Sequence, residues 1–475
     1  MDNVSGPYMA IDDRVLAEVN NLKVTLSTPE KCSENPLFTE EYFADPPKLW
    51  EARYDNFYPN VHYDPGEGIF KLWYNAFTSD ASSEGTPLPH RPETEYKDGH
   101  RRTDGLLYAV SNDGIEWTKP ELNIVDFEGS TANNIVMNTE THGFHGAGVL
   151  FDPDDPDPSR RHKAFFRNSR DRRMAVAFSS DGLHWTPSVN WPEHDAVGDT
   201  HNNTIRMSDG KYVGITRGWV GPKNQRVRTV LRTESVDFVH WSEPVEVLRG
   251  KNTHDQIYSM PIFRLGVTYF GLPAIFHKGD REAADWDTVD TELAWSTDTI
   301  TWNRVCPGRP LIPHGEGTYR NGAYDCGCIY AAVPVLVGDT HYIYYGSSNG
   351  HHNGFREGSL SLATIQKDRF AGQTASNGIG HCTTKPFVLD GTRIVLNVEI
   401  AEGGTVRAEI LKTDGAPVGG FSLKDCTPIH DGGMEVSPAW RSDVSTGALR
   451  GRNLILHVEL QNATVFAISG DIKFL

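Results

Sequence analysis

One phrase recurs along the chain, and its spacing limits the available folds more than any other feature. S-x-D-x-x-x-W occurs as Ser111–Trp117 (SNDGIEW), Ser179–Trp185 (SSDGLHW), Ser235–Trp241 (SVDFVHW) and Ser296–Trp302 (STDTITW), at intervals of 68, 56 and 61 residues. A catalytic centre needs one copy; a fold made of equivalent units needs one per unit, so the phrase reads as structural punctuation. Ser and Asp can close a turn through side-chain to backbone hydrogen bonds, and Trp can pack between units.

The residues around the phrase give the content of each unit. Helix signals are scarce, and apolar alternation with aromatic and β-branched residues is punctuated by Gly, Pro, Asn and Asp, which predicts short strands. Hairpins are expected from Asn60, Gly148, Asn203, Tyr258 and Tyr330. In the first four units a further apolar strand runs into the phrase; in the fifth, GSLSLATIQKDRFAG keeps the position but not the motif. Five such units, each able to form a four-stranded antiparallel sheet, predict an all-β chain with a five-bladed β-propeller over about residues 35–372. The segments RIVLNVEIAEGGTVRAEIL and NLILHVELQNATVFAISGDIKF alternate without the phrase and predict a C-terminal β-sandwich. The expected domains are 1–375 and 376–475, joined through the loop-rich stretch Ala371–Gly380, and YMAIDDRVL near the N-terminus is expected to complete a blade.

Charge and cysteine content narrow the function classes. A formal charge of −18 over 475 residues argues against nucleic acid or an anionic membrane as partner. No apolar run is long enough to span a bilayer, and the N-terminus lacks a basic segment followed by an apolar one, so a cytoplasmic location is expected. The six cysteines, with Cys326 and Cys328 as C-x-C, are too sparse for a disulfide framework and match neither a redox nor a zinc spacing. Dinucleotide, Walker and G-x-S-x-G signatures do not occur. The acidic tip Asp152–Pro158 reads as a solvated turn, and His351 and His352 as pocket or loop histidines.

The innermost strands of a propeller converge on its axis, so polar residues just before them share one pocket. Those positions hold Asp55; His142 and His145; Asp199 and His201; His254 and Asp255; and Glu316, Arg320 and Asp325. An Asp before a strand is also an ordinary turn former, but turn chemistry does not require a carboxylate at four of five equivalent places. Crowded carboxylates repel, which should push one of them toward its protonated, acid-competent form.

The opening MAIDDRVLAEVNNL, the blade phrases, ATIQKDRFAG and the tail GAPVGGFSLKDCTPI together resemble the glycoside hydrolase families 32, 43 and 68, and in particular bacterial proteins described as family-32-like in their N-terminal domain. The invertase motifs N-D-P-N-G, R-D-P and E-C-P are absent. The resemblance implies an exo-acting glycosidase that removes a small glycosyl unit, such as a furanoside, from a small carbohydrate or glycoside without a cofactor. It implies Asp55 as nucleophile or base and Asp199 as general acid, while His145 stands where the family has a stabilising Asp. Asp255 and Asp325 are the substitutes for that Asp. Arg217 and Arg320 are expected to bind hydroxyl or carboxylate groups, and His145, His201, His254, His277 and Glu316 to line the substrate site with Trp73 and Trp219. Two alternatives stand beside this. His145, His201 and His254 with nearby carboxylates could hold a divalent cation for a carbohydrate lyase or another sugar-modifying enzyme. The chain could also be a non-catalytic carbohydrate-binding propeller.

Overall fold

The structure is a computed structural model that describes residues 6–97, 102–193, 198–222, 225–441 and 445–475. It is nearly all-β with a β-propeller arrangement, and among the described residues no helix is long and apolar enough to cross a membrane. Four sheets have four strands each. The first holds Asn60–Asp64, Ile69–Asp80, Arg102–Ser111 and Ile135–Asn138, and the second Phe144–Phe151, His162–Asn168, Arg173–Ser179 and Val189–Asn190. The third holds Asn203–Arg206, Tyr212–Val220, Val227–Ser235 and Val245–Arg249; the fourth, Ile262–Leu265, Thr268–Gly271, Leu293–Ser296 and Trp302–Val305.

The fourth repeat unit is split, and proline explains the split. Asp255–Ser259 is separated from Ile262–Leu265 by Met260-Pro261, and Thr268–Gly271 from Ala274–His277 by Leu272-Pro273; a proline cannot donate to a strand ladder. The inner halves, with Val289–Thr291, join Cys328–Ala331, Thr340–Ser348 and Gly358–Gln366 in a nine-stranded sheet. That sheet is finished at its outer edge by two N-terminal pieces, Glu30–Lys31 and Phe38–Thr39. An N-terminal segment does complete a sheet of the propeller, but it is not YMAIDDRVL. Tyr8–Met9 pairs instead with Ile468 and Ala467 in the C-terminal sheet.

The repeated phrase behaves the same way in all four copies. In the second, Ser179 Oγ accepts from Gly182 N, Asp181 Oδ1 accepts from the backbone of Leu183 and His184, and Trp185 Nε1 donates to Gly182 O. The fourth position is left-handed in every copy, at φ 79° for Gly114, 77° for Gly182, 66° for Phe238 and 65° for Thr299. Each phrase is therefore a side-chain-closed turn at the end of a third strand. Apolar clusters fill the spaces between successive sheets, and the last meets the first: Tyr344, Leu360 and Leu362 pack with Phe70, Leu72 and Tyr74. Each such fully buried Leu or Phe is worth about 1.5–3 kcal/mol. Trp73 belongs to this packing, since it is buried between the first two sheets with Nε1 donating to Gly182 O, and is no sugar platform. The Asp152–Pro158 tip is solvated as a turn except at two carboxylates: Asp152 accepts from Arg206 and Tyr212, and Asp155 from the buried Lys163.

The C-terminal region is a seven-stranded sheet dominated by the long strands Ala371–Thr384, Phe387–Lys412 and Asn453–Phe474. Phe387 pairs with both Leu454 and Phe474, the two ends of one strand, so the sheet folds over its own core of Leu396, Val398, Leu456 and Val458. Leu16–Asn20 and Lys23–Leu26 also join this sheet, and Ala371–Thr384 runs straight across residues 375 and 376.

Candidate active site

A cavity of about 520 Å³ opens where the inner strands converge, lined by residues from all parts of the propeller. Asp55 reaches it from an unusual stretch of backbone. Phe57 (φ 62°) and Tyr58 (φ 43°) are both left-handed, a conformation costing bulky residues about 1–3 kcal/mol each. Packing holds them there: Phe57 stacks on Tyr74 at 4.7 Å, Tyr58 stacks on His201 at 5.2 Å, and Phe57 O accepts from Asn75 N at 2.7 Å. The bend presents Asp55, which accepts from Arg356 Nη2 at 2.7 Å and Arg53 Nε at 3.2 Å. Burial would raise its carboxyl, but Arg356 and then Arg53 outweigh that and hold it far below the usual carboxylate range.

The second group is a histidine between two carboxylates. His145, on Phe144–Phe151, contacts Asp104 Oδ1 through Nδ1 at 3.0 Å and Asp199 Oδ1 through Nε2. Burial alone would push its imidazole down; Asp104 and Asp199 together hold it well above the usual histidine range, so it is an imidazolium at neutral pH. Asp199 is 44% exposed, and its second oxygen lies 3.5 Å from Arg167 Nη1 and 3.4 Å from Arg217 Nη2. Burial raises the Asp199 carboxyl, but His145, Arg217 and Arg167 depress it well below its ordinary value. Two details fix this segment. Asn202 donates to Gly146 O and Gly198 O and accepts from Thr216, while Gly146, at φ 62°, passes so close to Thr200 O that a Cβ would stand 2.2 Å from it.

The cavity is richer in arginine than the sequence reading anticipated. Arg53, Arg102, Arg167 and Arg228 line it, and Arg217 and Arg356 stand behind on Asp199 and Asp55. Arg228 Nη1 donates to Gln256 Oε1 at 3.0 Å, and its guanidinium lies 4.4 Å from the Trp219 ring centroid. Trp219, 43% exposed, is the one expected sugar-subsite tryptophan that faces outward. His352 also lines the cavity, bonded to Tyr330 OH, and burial followed by Arg356 keeps it neutral.

Several expected site residues are elsewhere. Asp255 is bound by Arg304 at 2.9 Å, and Asp325 is buried against Lys31 at 2.6 Å and Tyr345 OH at 3.2 Å; both carboxylates serve as counter-ions outside the cavity. Glu316 is exposed on the loop before Cys328, and Arg320 reaches across to Pro89 O. His201 lies beneath the cavity with Nε2 3.2 Å from Asn60 Oδ1, and burial pushes it down to about 3. The expected crowding effect is also reversed, because arginines and His145 leave Asp55 and Asp199 ionised rather than forcing one to hold a proton. Arg53, Asp104, Arg167, Arg228, Tyr258 and Asn353 were not anticipated. Arg53 had a signal, two residues before Asp55; Asp104 and Arg228 stand near the starts of third strands rather than at the entrances to inner strands.

The three histidines considered as a cation set do not meet. His145 bonds Asp104 and Asp199, His201 bonds Asn60, and His254 bonds Asp285 at 3.1 Å. A different set, His254, His277 and Asp285, has its ligand atoms within 4.8 Å of one another. Its donor chemistry fits a metal poorly. His254 Nδ1 accepts from the Asp280 backbone N–H, which puts the proton on Nε2, the atom a cation would need. His277 is bonded through Nε2 to Asp290 at 2.7 Å and raised by Asp290 and Asp285 against the effect of burial.

No family model and no curated protein matches the sequence. Among solved structures, the chain is similar to a glycosyl hydrolase from Bacteroides ovatus (16% identity, TM-score 0.47, covering 73% of this chain and 95% of that one). It is also similar to a β-1,2-mannobiose phosphorylase from Listeria innocua (14%, 0.47, 72% and 97%) and to an N-acetylgalactosamine deacetylase from F. plautii (14%, 0.46, 73% and 96%). Likeness at this level does not say which bond a cavity acts on.

Proposed function

We propose that the chain is a carbohydrate-active enzyme that cleaves a glycosidic bond of a small glycoside in the axial cavity. The observation carrying this reading is the pairing, in one cavity, of an ionised carboxylate with a proton-bearing group: Asp55 held by Arg53 and Arg356, and the imidazolium His145 hydrogen-bonded to Asp199. Glycoside cleavage needs both kinds of group at one bond. Asp55 acts as base or nucleophile. Asp199 becomes the acid by taking the Nε2 proton of His145, leaving neutral imidazole beside Asp104, and passes that proton to the departing oxygen. Arg167 and Arg217 then stabilise Asp199 as it returns to carboxylate. No cofactor enters this reading.

The fold that carries the site is read here as five blades and a C-terminal sandwich. The fifth blade is Cys328–Ala331 with Val335–Val337, Thr340–Ser348, Gly358–Gln366 and the N-terminal pieces at residues 30–39, and the apolar contact of Tyr344 and Leu360 with Phe70 and Leu72 supports ring closure. The sandwich takes in the whole strand Ala371–Thr384, so it starts a few residues before the expected 376, and it includes the N-terminal strands that pair with it.

The test is release of aglycone from a panel of aryl glycosides by the purified protein. Turnover that disappears in both Asp55→Asn and Asp199→Asn supports the assignment. Turnover that survives in both removes the two carboxylates from the chemistry, and sugar binding without turnover in the unaltered protein favours a binding module.

A further inference from the structure

The charge in the cavity is opposite to that of the chain. In a protein of net charge −18, the guanidiniums of Arg53, Arg167, Arg217, Arg228 and Arg356, with the His145 imidazolium, meet the carboxylates of Asp55, Asp104 and Asp199 among the described residues, and Arg102 stands beside them near Asp80. Part of the excess gathers around Tyr258. Arg217 and Arg228 share one aromatic ring, with guanidinium carbons 4.6 Å and 5.2 Å from the Tyr258 centroid. Arg228 has no carboxylate partner among the described residues; its Nη1 bonds an amide oxygen and its Nε is buried without a partner. Arg217 is 4% exposed, with Nε and Nη1 likewise unpartnered, and Arg167 Nε is a further buried donor without an acceptor. Burial, and after it the nearby Arg217, push the Arg228 guanidinium down to about 10.

Buried donors of this kind normally have acceptors, and arginine's forked donors match planar or tetrahedral oxyanions. We propose that the cavity binds a sugar bearing an anionic substituent (carboxylate, sulfate or phosphate), with Arg228, supported by Arg217 and Arg167, as its specificity-determining residue. This rests on the assignment of the cavity as a carbohydrate site but not on turnover. Neutral sugar hydroxyls would satisfy some of these donors and leave the charge unopposed. An oxyanion does both, and the positive cavity draws it in past a surface that is otherwise acidic.

Direct binding tests it by calorimetry, with D-glucuronate, D-galacturonate, a hexose sulfate and a hexose phosphate as probes beside D-glucose and D-galactose. At least one anionic probe should bind about tenfold or more tightly than its neutral counterpart, the size expected of one added charge-assisted hydrogen bond. Which of the four does so identifies the substituent. Arg228→Gln should remove that preference by lowering affinity for the anionic probe much further than for its neutral counterpart, and Arg228→Lys should keep part of it. If Arg228→Gln fails to fold, raising the salt concentration on the unaltered protein gives the second readout, weakening the anionic probes alone. Equal affinity for charged and neutral sugars, or no binding by any anionic probe, overturns the proposal. The cleavage reading fails separately, through absence of turnover with a probe that does bind.

Discussion

His145 and His277 each sit between two aspartates, one in the axial cavity and the other in the split fourth unit, yet their surroundings differ in charge balance. Around His277 the acids are answered: Asp290 by His277 and His314, and Asp255 and Glu292 by Arg304, whose guanidinium bonds both. Around His145 the acids are over-answered, since Asp199 also meets Arg167 and Arg217 while further arginine donors stay unpartnered. A satisfied cluster holds strands in place. A cavity whose walls carry surplus positive charge is arranged for something that arrives from outside. The same residue types therefore carry structure in one place and chemistry in the other, and only the accounting of partners separates them.

The largest effect should come from the cavity. Asp55→Asn is expected to lower turnover on the order of 10³-fold or more, as loss of a base or nucleophile does, and to lower the melting temperature as well, because the buried Arg53 and Arg356 lose their anion; steady-state kinetics with thermal unfolding checks both halves. Next in size, Arg304→Leu leaves Asp255 and Glu292 without their cation and should cost about 3–5 kcal/mol in urea unfolding. Any substrate bound by the surviving fold should keep its affinity, because Arg304 does not line the cavity.

The two regions should also separate by pH. His145 is raised in the fold by Asp104 and Asp199, so its contribution to stability is whole below about pH 6.5, its unfolded value, and is lost as pH climbs through the elevated folded value. His201 has the opposite sign. Held down to about 3, it contributes fully above about pH 6.5 and loses that contribution as pH falls toward 3. Stability against pH for His145→Gln should therefore flatten on the alkaline side and for His201→Gln on the acid side; exchanged outcomes would break the assignment of protons to these sites. Smallest of all, Asp181→Ala removes the acceptor for two backbone N–H groups of an exposed turn and should cost about 1 kcal/mol with turnover unaffected.

Much of the architecture is legible in the residue order, because its determinants are local. The turn chemistry of S-x-D-x-x-x-W, the Asp64-Pro65-Gly66 hairpin and the period-two alternation each act within a few residues, and together they set the strand pattern and mark where inner strands begin. That register led to Asp55, His145 and Asp199, which the structure brings to one place. What it could not separate was the carboxylate that faces the cavity from the one that answers a buried cation. Asp255 and Asp325 occupy equivalent positions in the repeat, but Arg304 lies 49 residues from the first and Lys31 lies 294 residues from the second. The arginine surplus was hidden for the same reason, since Arg53, Arg102, Arg167, Arg217, Arg228 and Arg356 come from loops and from the second and third strands of different sheets. The sequence by itself determined the strands, the turns and the radial repetition, all short-range consequences of side-chain shape and backbone hydrogen bonding. Which charges stand together, and which keep a donor free for a ligand, was decided by tertiary structure, because electrostatic partners are set by distance in space and not by distance along the chain.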